Sequence, residues 1–143
     1  ASGLKISYFK NQLLSMNVAQ SHGQVNIAKP IMMLAIIQGI EDGGIKANRI
    51  VYSEHLITTY ANLFANFSDK AMTSSVYPYY YLASEDFYFI KGRKARTTPS
   101  AKFLRENVEY ACLDDDLWEL LQEPETRNEL RDAIIQHFIK PRT

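Results

Sequence analysis

The sequence predicts an α+β fold that is predominantly helical: a compact helical domain with one β-hairpin at about residues 78–91. Two observations predict the helices. Residues 31–37 form an uninterrupted apolar run, and residues 56–67 repeat apolar side chains at helical spacing. A third observation predicts the hairpin, because residues 77–90 are rich in aromatic side chains that favour strands. The length of 143 residues suits one domain, predicted to span residues 1–143.

The first predicted helix runs from residue 4 to about residue 19. Its apolar residues near helical spacing are Leu4, Tyr8, Leu13, Leu14 and Met16. The stretch Ser21-His22-Gly23-Gln24 breaks it. The second helix opens at Ala28-Lys29-Pro30 and ends at Gly43, which suits a left-handed exit. Because its segment 31–37 is apolar on every side, we expect this helix to lie at the centre of the fold.

The remaining elements are predicted from capping signals and from changes of period. Ser53 caps a third helix whose apolar stripe comprises Leu56, Ile57, Tyr60, Leu63, Phe64 and Phe67. Residues 77–82 and 87–90 are predicted strands, with turn chemistry at 83–86. Later helices are predicted to start at Thr98-Pro99, after Asp114-Asp115-Asp116 and at Pro124, and the last to end at Pro141.

Composition bounds the class of protein. The single cysteine, Cys112, cannot form an internal disulfide, which favours a reducing, cytoplasmic location. No apolar run approaches the roughly 20 residues of a membrane span, and no signal peptide is visible. The net charge is zero but uneven: residues 1–105 carry twelve Lys and Arg against six Asp and Glu, and residues 106–143 carry four against ten. Such a division permits a phosphate-facing surface, although solvated helix faces explain it equally well.

Signatures of catalysis are weak. The three histidines, His22, His55 and His137, are far apart and form no metal-binding pair at helical spacing. Glu85 and Asp86 near Lys91 only faintly resemble a nuclease carboxylate-lysine motif, and a polar turn followed by a basic loop is the simpler interpretation. Capping explains Asp114-Asp115-Asp116 more simply than cation binding, and a core position suits Cys112 better than a nucleophilic role. We therefore predict no catalytic residue, no metal, no cofactor and no enzymatic activity of this domain.

Two features remain that bear on binding. Lys91, Arg93, Lys94 and Arg96 form a basic run directly after the aromatic segment, and Lys102 and Arg105 follow closely. Clustered cations suit phosphate contacts, and we predict Lys91, Arg93, Lys94, Arg96 and Lys102 as contacts to a DNA backbone or groove. The second feature is the tyrosine cluster at 77 and 79–81, of which strand alternation would expose half. Exposed aromatic residues beside cations suit either nucleic acid or a protein partner.

Three blocks in this order resemble a known family. They are Ala28-Lys29-Pro30 leading to Ile40-Glu41-Asp42-Gly43-Gly44-Ile45; Tyr77-Pro78 with Leu82 and Phe87-Tyr88-Phe89; and the run Tyr110-Ala111-Cys112-Leu113-Asp114-Asp115-Asp116-Leu117-Trp118-Glu119-Leu120-Leu121 with Pro124. Together they resemble the sulfur-binding domain of HNH-type restriction endonucleases that cut phosphorothioate-modified DNA. The resemblance covers about residues 5–139, and the last block is the most distinctive.

The resemblance implies that this chain is a DNA-recognition module. Cleavage would be carried out by a separate HNH domain, either on the same polypeptide or on a non-covalent partner. It implies that the partner is double-stranded DNA and that the protein has a shallow pocket for the sulfur of a phosphorothioate. The residues of that pocket would be Lys29, Tyr77, Pro78 and Tyr81. Three positions depart from the family's pattern. Ala28 stands where the family often has His, and Tyr81 where sulfur-binding members often have a small residue. Lys29 stands where the basic residue is often Arg, which is the better fork for phosphate. A protein-interaction or regulatory domain of a nuclease system, without sulfur specificity, remains the alternative, and a standalone nuclease is a third hypothesis.

Overall fold

A computed structural model of the protein describes residues 2–21 and 24–140. Within these residues lie seven α-helices: α1 (Ser2–Leu14), α2 (Ala28–Asp42), α3 (Glu54–Phe67), α4 (Val76–Tyr81), α5 (Ala101–Asn107), α6 (Asp115–Gln122) and α7 (Pro124–Ile134). Four strands form two antiparallel pairs, β1 (Gln20–Ser21) with β2 (Gln24–Val25) and β3 (Tyr88–Gly92) with β4 (Val108–Leu113). A 3-10 turn at Leu82–Ser84 follows α4, and a π-helical turn at Ile135–Ile139 follows α7. The predicted class, a predominantly helical α+β domain, is confirmed.

The predicted central helix is α2. Eleven of its fifteen residues are buried, and α3, α4, α6 and α7 all pack against it. Its apolar run explains this position, because a helix without a polar face gains most when neighbours cover it on every side. It ends as predicted at Gly43, which has a left-handed φ of 84°. No helix in the described part of the chain is long and apolar enough to cross a membrane.

The first helix is shorter than predicted and faces the core differently. It ends at Leu14, not near residue 19. Leu4 and Tyr8 belong to its predicted apolar pattern but are 78% and 57% exposed. Leu13 is buried as its place in the pattern predicts, and so is Phe9, four residues earlier, because this face of α1 meets α6 and α7. The short β1–β2 ribbon occupies part of the predicted break.

Capping residues set most of the other helix starts. Ser53 accepts a hydrogen bond from the Leu56 N–H (3.1 Å), and Asp114 accepts one from the Asp116 N–H (2.9 Å), both as predicted. The start of α5 was predicted wrongly at Thr98-Pro99. Ser100 caps it through the Phe103 N–H at 3.1 Å, so α5 begins two residues later than Pro99. The last helix, α7, begins at Pro124 as predicted. His22, Gly23 and Pro141 lie outside the described residues.

The predicted hairpin at 78–91 is wrong in its first strand. Residues 76–81 form α4, because Ser74 turns the chain by accepting a hydrogen bond from the Val76 N–H and Pro78 lies in the first turn, where its missing N–H costs nothing. Tyr79 and Leu82, which are three residues apart, are both fully buried. Their burial stabilises the helical conformation, because only a helix places residues at this spacing on one face. The return strand is real, but β3 pairs with β4, which was not predicted.

The β3–β4 pair ends at an irregularity that redirects the chain. Lys91 pairs with Tyr110 but Gly92 pairs with Val108, so one residue of β4 is left over. Gly92 has φ 147°, and a Cβ there would lie 2.3 Å from the carbonyl oxygen of Asn107. Only glycine allows this close crossing, which sends the chain from the sheet into the basic segment, residues 91–96.

Candidate nucleic-acid interface

A surface cavity of about 170 Å³ lies where α2 begins beside α4. The four residues predicted for a sulfur and phosphate pocket all line it: Lys29 from the first turn of α2, and Tyr77, Pro78 and Tyr81 from α4. The other lining residues are Asn17, Val18, Ala19, Asn26, Ala28 and Thr73. The structure thus brings together two segments that are almost fifty positions apart in the sequence. We call this space the α2–α4 cavity.

The helical form of α4 decides which tyrosines reach the surface. Tyr77 and Tyr81 are four residues apart, so they lie on one face and are 39% and 43% exposed. Tyr79 points the opposite way and is fully buried, donating a hydrogen bond to the carbonyl oxygen of Ile50 at 2.7 Å. Its backbone carbonyl accepts a hydrogen bond of 2.6 Å from the buried Tyr88 hydroxyl. The division of the tyrosines between core and surface was predicted, but it follows from helical spacing and not from strand alternation.

Lys29 supplies the charge of the α2–α4 cavity, and that charge is paired. Its Nζ lies 2.9 Å from Oε2 of Glu85 and 3.1 Å from Oγ of Ser84. The side chains of Lys29 and Glu85 are only 16% and 9% exposed. The same Glu85 oxygen accepts a hydrogen bond from the backbone N–H of Asn17 at 3.0 Å. The Glu85 carboxylate therefore holds Lys29 and Asn17, two residues that line the cavity. It does not pair with Lys91 in the nuclease-like carboxylate-lysine motif that the sequence faintly resembled.

Asn26 and Glu85 are site residues that sequence reasoning missed. Asn26 Oδ1 accepts a hydrogen bond from the Ala28 N–H at 2.9 Å, which fixes the first turn of α2 and hence the position of Lys29. An Asn two positions before a helix start was the available signal for this turn. No local signal pointed to Glu85, because its partner Lys29 lies 56 positions earlier in the chain.

A second, larger cavity of about 390 Å³ adjoins the first, and Tyr81 lines both. Its remaining walls are Tyr80, Ala83, Ser84, Tyr88, Phe89, Ile90, Gly92 and Lys94. Phe89 was not predicted as a surface residue, yet it is 48% exposed on β3. The second cavity shares Tyr81 with the α2–α4 cavity and reaches the basic segment at Gly92 and Lys94.

The basic segment carries charge that no acid of the described chain neutralises. Lys91, Arg93, Lys94 and Arg96 are exposed, as is Lys102 on α5, and none of the five forms a salt bridge with a described residue. Elsewhere, acids of the C-terminal third pair with cations of α1, as in Lys5–Asp116 (3.2 Å) and Lys10–Glu129 (2.8 Å). The uneven charge of the sequence is therefore partly cancelled around α1, while the basic segment keeps its charge.

The segment is also held to the cavity helix. The hydroxyl of Tyr80 accepts a hydrogen bond of 2.8 Å from the Ala95 N–H. The N–H of Arg93 donates to the carbonyl oxygen of Asn107 at 2.8 Å. These two bonds fix the backbone at both sides of Lys94, whose side chain lines the second cavity.

Cys112 and the two described histidines, His55 and His137, line neither of these cavities. Burial, and secondarily Asp115, raises the pKa of the Cys112 thiol, so the thiolate needed of a nucleophile is disfavoured. His55 pairs with Asp42 at 3.2 Å and His137 packs on Phe138, while His22 lies outside the described residues. Within the described ranges, no three His, Cys, Asp or Glu side chains are grouped so that they could hold a metal ion.

Comparison with known proteins gives a likeness of fold. No protein-family model and no curated protein matches the chain. Among solved structures, the chain is similar to the sulfur-binding domain of SprMcrA in complex with phosphorothioated DNA, with a TM-score of 0.67 and 15% sequence identity. The likeness covers 93% of this chain and 85% of that one. This chain therefore has the fold of a domain that has been solved on phosphorothioated DNA.

Proposed function

We propose that this chain is a DNA-recognition domain that binds double-stranded DNA and prefers a phosphorothioate linkage, with any cleavage carried out by a separate nuclease domain. The observation that carries the proposal is the α2–α4 cavity, where Lys29, Tyr77, Pro78 and Tyr81 meet on a surface continuous with the basic segment. The solved sulfur-binding domain supports it, because that protein has the same fold and was bound to phosphorothioated DNA.

The chemistry of the cavity suits sulfur. Sulfur in place of a non-bridging phosphate oxygen is larger and is a poorer hydrogen-bond acceptor, so it loses less when it leaves water for an apolar surface. The rings of Tyr77, Pro78 and Tyr81 and the methyl group of Ala28 provide that surface. Ala28 and Tyr81 depart from the family's usual residues, and in our proposal both serve as apolar wall.

The basic segment supplies the affinity that does not depend on sulfur. Lys91, Arg93, Lys94, Arg96 and Lys102 would contact phosphates along the duplex, and each contact releases counterions and makes binding weaker in salt. Tyr81 and Phe89 lie between these cations and the α2–α4 cavity, where they would pack on the sugar-phosphate backbone.

Binding of matched duplexes tests the proposal. One duplex pool carries a single phosphorothioate between randomised flanking bases, and its partner carries an ordinary phosphodiester there. We expect fluorescence anisotropy to show a preference of about tenfold, equivalent to about 1.4 kcal/mol, for the modified pool. Tyr81→Ala should reduce that preference to about twofold by removing apolar area, while Tyr81→Phe, the matched control, should keep it.

Each other outcome has a definite meaning. Equal and salt-sensitive binding of the two pools would discard the sulfur preference and keep DNA binding. No binding at low salt would discard both. A preference that survives Tyr81→Ala unchanged would place the sulfur somewhere other than the α2–α4 cavity.

A further inference from the structure

The ammonium group of Lys29 has little hydrogen-bonding capacity left for a ligand. A lysine ammonium has three hydrogens to donate. One points to Glu85 Oε2 at 2.9 Å and another to Ser84 Oγ at 3.1 Å. Ser84 in turn donates to the carbonyl oxygen of Tyr81 at 2.9 Å, so the chain of bonds joins Lys29 to Tyr81, both of which line the α2–α4 cavity. One hydrogen of the ammonium remains.

Glu85 is a fixed member of this arrangement. Its side chain is 9% exposed, and its Oε2 also accepts the Asn17 N–H at 3.0 Å. Asn17 itself lines the cavity. A carboxylate held by both a backbone donor and an ammonium does not swing away as an exposed counter-ion would, so its negative charge stays beside the cavity.

This arrangement penalises oxygen more than sulfur. A phosphate oxygen that enters the cavity leaves water, meets one free ammonium hydrogen and faces a nearby carboxylate, so it is poorly compensated for its lost hydration. Sulfur forms weaker hydrogen bonds with water and therefore gives up less. By neutralising Lys29, Glu85 weakens the electrostatic attraction that would favour both the phosphodiester and the phosphorothioate. The apolar walls of the cavity then determine the difference in affinity between the two linkages.

We infer that Glu85 is a specificity-determining residue that suppresses binding of unmodified DNA by occupying Lys29. The inference rests on the proposed function, because it concerns discrimination between a phosphorothioate and a phosphodiester at the same cavity. In this role Glu85 repels the phosphate and competes with it for the Lys29 ammonium, and it does not contact the sulfur.

Glu85→Gln tests this role with little change of shape. Glutamine keeps an amide oxygen that can accept the Asn17 N–H but carries no charge, so the positive charge of Lys29 is no longer neutralised and attracts phosphate. Affinity for the unmodified duplex should rise by about tenfold, as expected for the loss of one nearby repulsive charge. Affinity for the modified duplex should rise less, so the preference for phosphorothioate should shrink by about threefold. The slope of log K against log salt should steepen by about 0.9 for the added phosphate contact.

Two further variants complete the experiment. Asp86→Asn is the matched control, because it removes the same negative charge from the neighbouring residue. The Asp86 side chain is exposed and forms no salt bridge with a described residue. It should leave the preference and the salt slope unchanged. Ser84→Ala frees one ammonium hydrogen without touching Glu85 and should shift the preference in the same direction as Glu85→Gln, by a smaller factor.

The outcomes separate this inference from the proposed function. If the wild-type protein prefers the modified duplex but neither Glu85→Gln nor Ser84→Ala changes the preference or the salt slope, Glu85 is only structural and the inference fails alone. Equal effects of Glu85→Gln and Asp86→Asn would also overturn it. If the wild type binds both duplexes equally, the sulfur preference of the proposed function has failed, whatever the variants show. Thermal unfolding of each variant establishes that it is folded before its binding is compared.

Discussion

Tyr80 and Ala95 are joined by a hydrogen bond of 2.8 Å from the Ala95 N–H to the Tyr80 hydroxyl, which links α4 to the middle of the basic segment. Tyr80 is held from the other side by an edge-to-face contact with Phe103 of α5, at 6.3 Å between ring centres. The cations of the basic segment are therefore positioned relative to the α2–α4 cavity and do not belong to a separate loop.

We expect Tyr80→Phe to loosen this link. Loss of one partly buried hydrogen bond should lower the free energy of unfolding by about 1 kcal/mol. Because Lys94 and Arg96 then lose their fixed position, affinity for modified and unmodified DNA should fall together by about threefold. Denaturant unfolding and anisotropy titrations measure the two effects.

Tyr79→Phe is the control for that variant. Tyr79 loses a hydrogen bond of similar length to the Ile50 carbonyl oxygen, but its side chain faces the core. It should lower stability and leave DNA affinity unchanged at a temperature where the protein is folded. Equal losses of affinity in the two variants would mean that the Tyr80–Ala95 bond has no special part in DNA binding.

Lys94→Ala combined with Arg96→Ala should weaken binding to both duplex types by the same factor. If each side chain neutralises one phosphate, the slope of log K against log salt should become shallower by about 1.8. A salt series of anisotropy titrations gives that slope. The pair Lys46→Ala with Lys140→Ala removes two exposed cations outside the basic segment and should leave the slope unchanged. A preserved slope in the Lys94 and Arg96 variant would contradict the proposed path of the DNA.

Gly92→Ala should destabilise the fold by about 3 kcal/mol. The reason is a φ of 147°, which non-glycine residues rarely adopt, together with a Cβ only 2.3 Å from the Asn107 carbonyl oxygen. Gly3→Ala, on α1 with nothing within 4 Å of the added carbon, should be neutral or slightly stabilising. Urea unfolding compares the two, and a Gly92 variant as stable as the Gly3 variant would refute the close crossing.

Alkaline pH should unfold the protein through its buried tyrosines. Burial raises the pKa of Tyr60, Tyr79 and Tyr88 above the usual value of 10.0. Below pH 10 all three are protonated in both folded and unfolded states, so their contribution to stability is fully present. Above it, the unfolded chain ionises first, and each residue should cost about 1.4 kcal/mol per pH unit until its folded pKa is reached.

Tyrosinate absorbance and circular dichroism recorded against pH check this prediction together. The three buried tyrosines should ionise only as the helical signal is lost, and Tyr79→Phe should reduce the pH dependence by about a third. Ionisation of all tyrosines near pH 10 without unfolding would contradict the burial described here.

Local signals were sufficient for the helices that depend on them. Ser53 and Asp114 cap their helices because side-chain oxygens next to a helix start satisfy free N–H groups in any context, and the apolar run of α2 has no arrangement available except burial. The sequence missed α4 because tyrosines favour strands in isolation, whereas here the burial of Tyr79 and Leu82 outweighs that preference.

Long-range partners explain the remaining differences. Strand β4 was missed because its pairing with β3 is established by tertiary contact, as in the pair Tyr88 and Leu113, and not by a turn between neighbours. The meeting of Lys29 with Pro78 was implied by family resemblance and not by any local pattern. Glu85 was assigned to a turn from its local sequence. Its ion pair with Lys29 was missed, because turn-forming residue types do not indicate which distant cation a carboxylate will contact.

The chirality of a phosphorothioate offers the most direct test of the central claim, that a fixed cavity between α2 and α4 takes up the sulfur. The two non-bridging positions of a phosphate point in different directions from the duplex, so a cavity of fixed position can receive only one. We expect anisotropy titrations with two stereochemically pure duplexes to show one diastereomer bound about tenfold more tightly and the other bound like unmodified DNA. Equal affinity for both diastereomers would contradict the account.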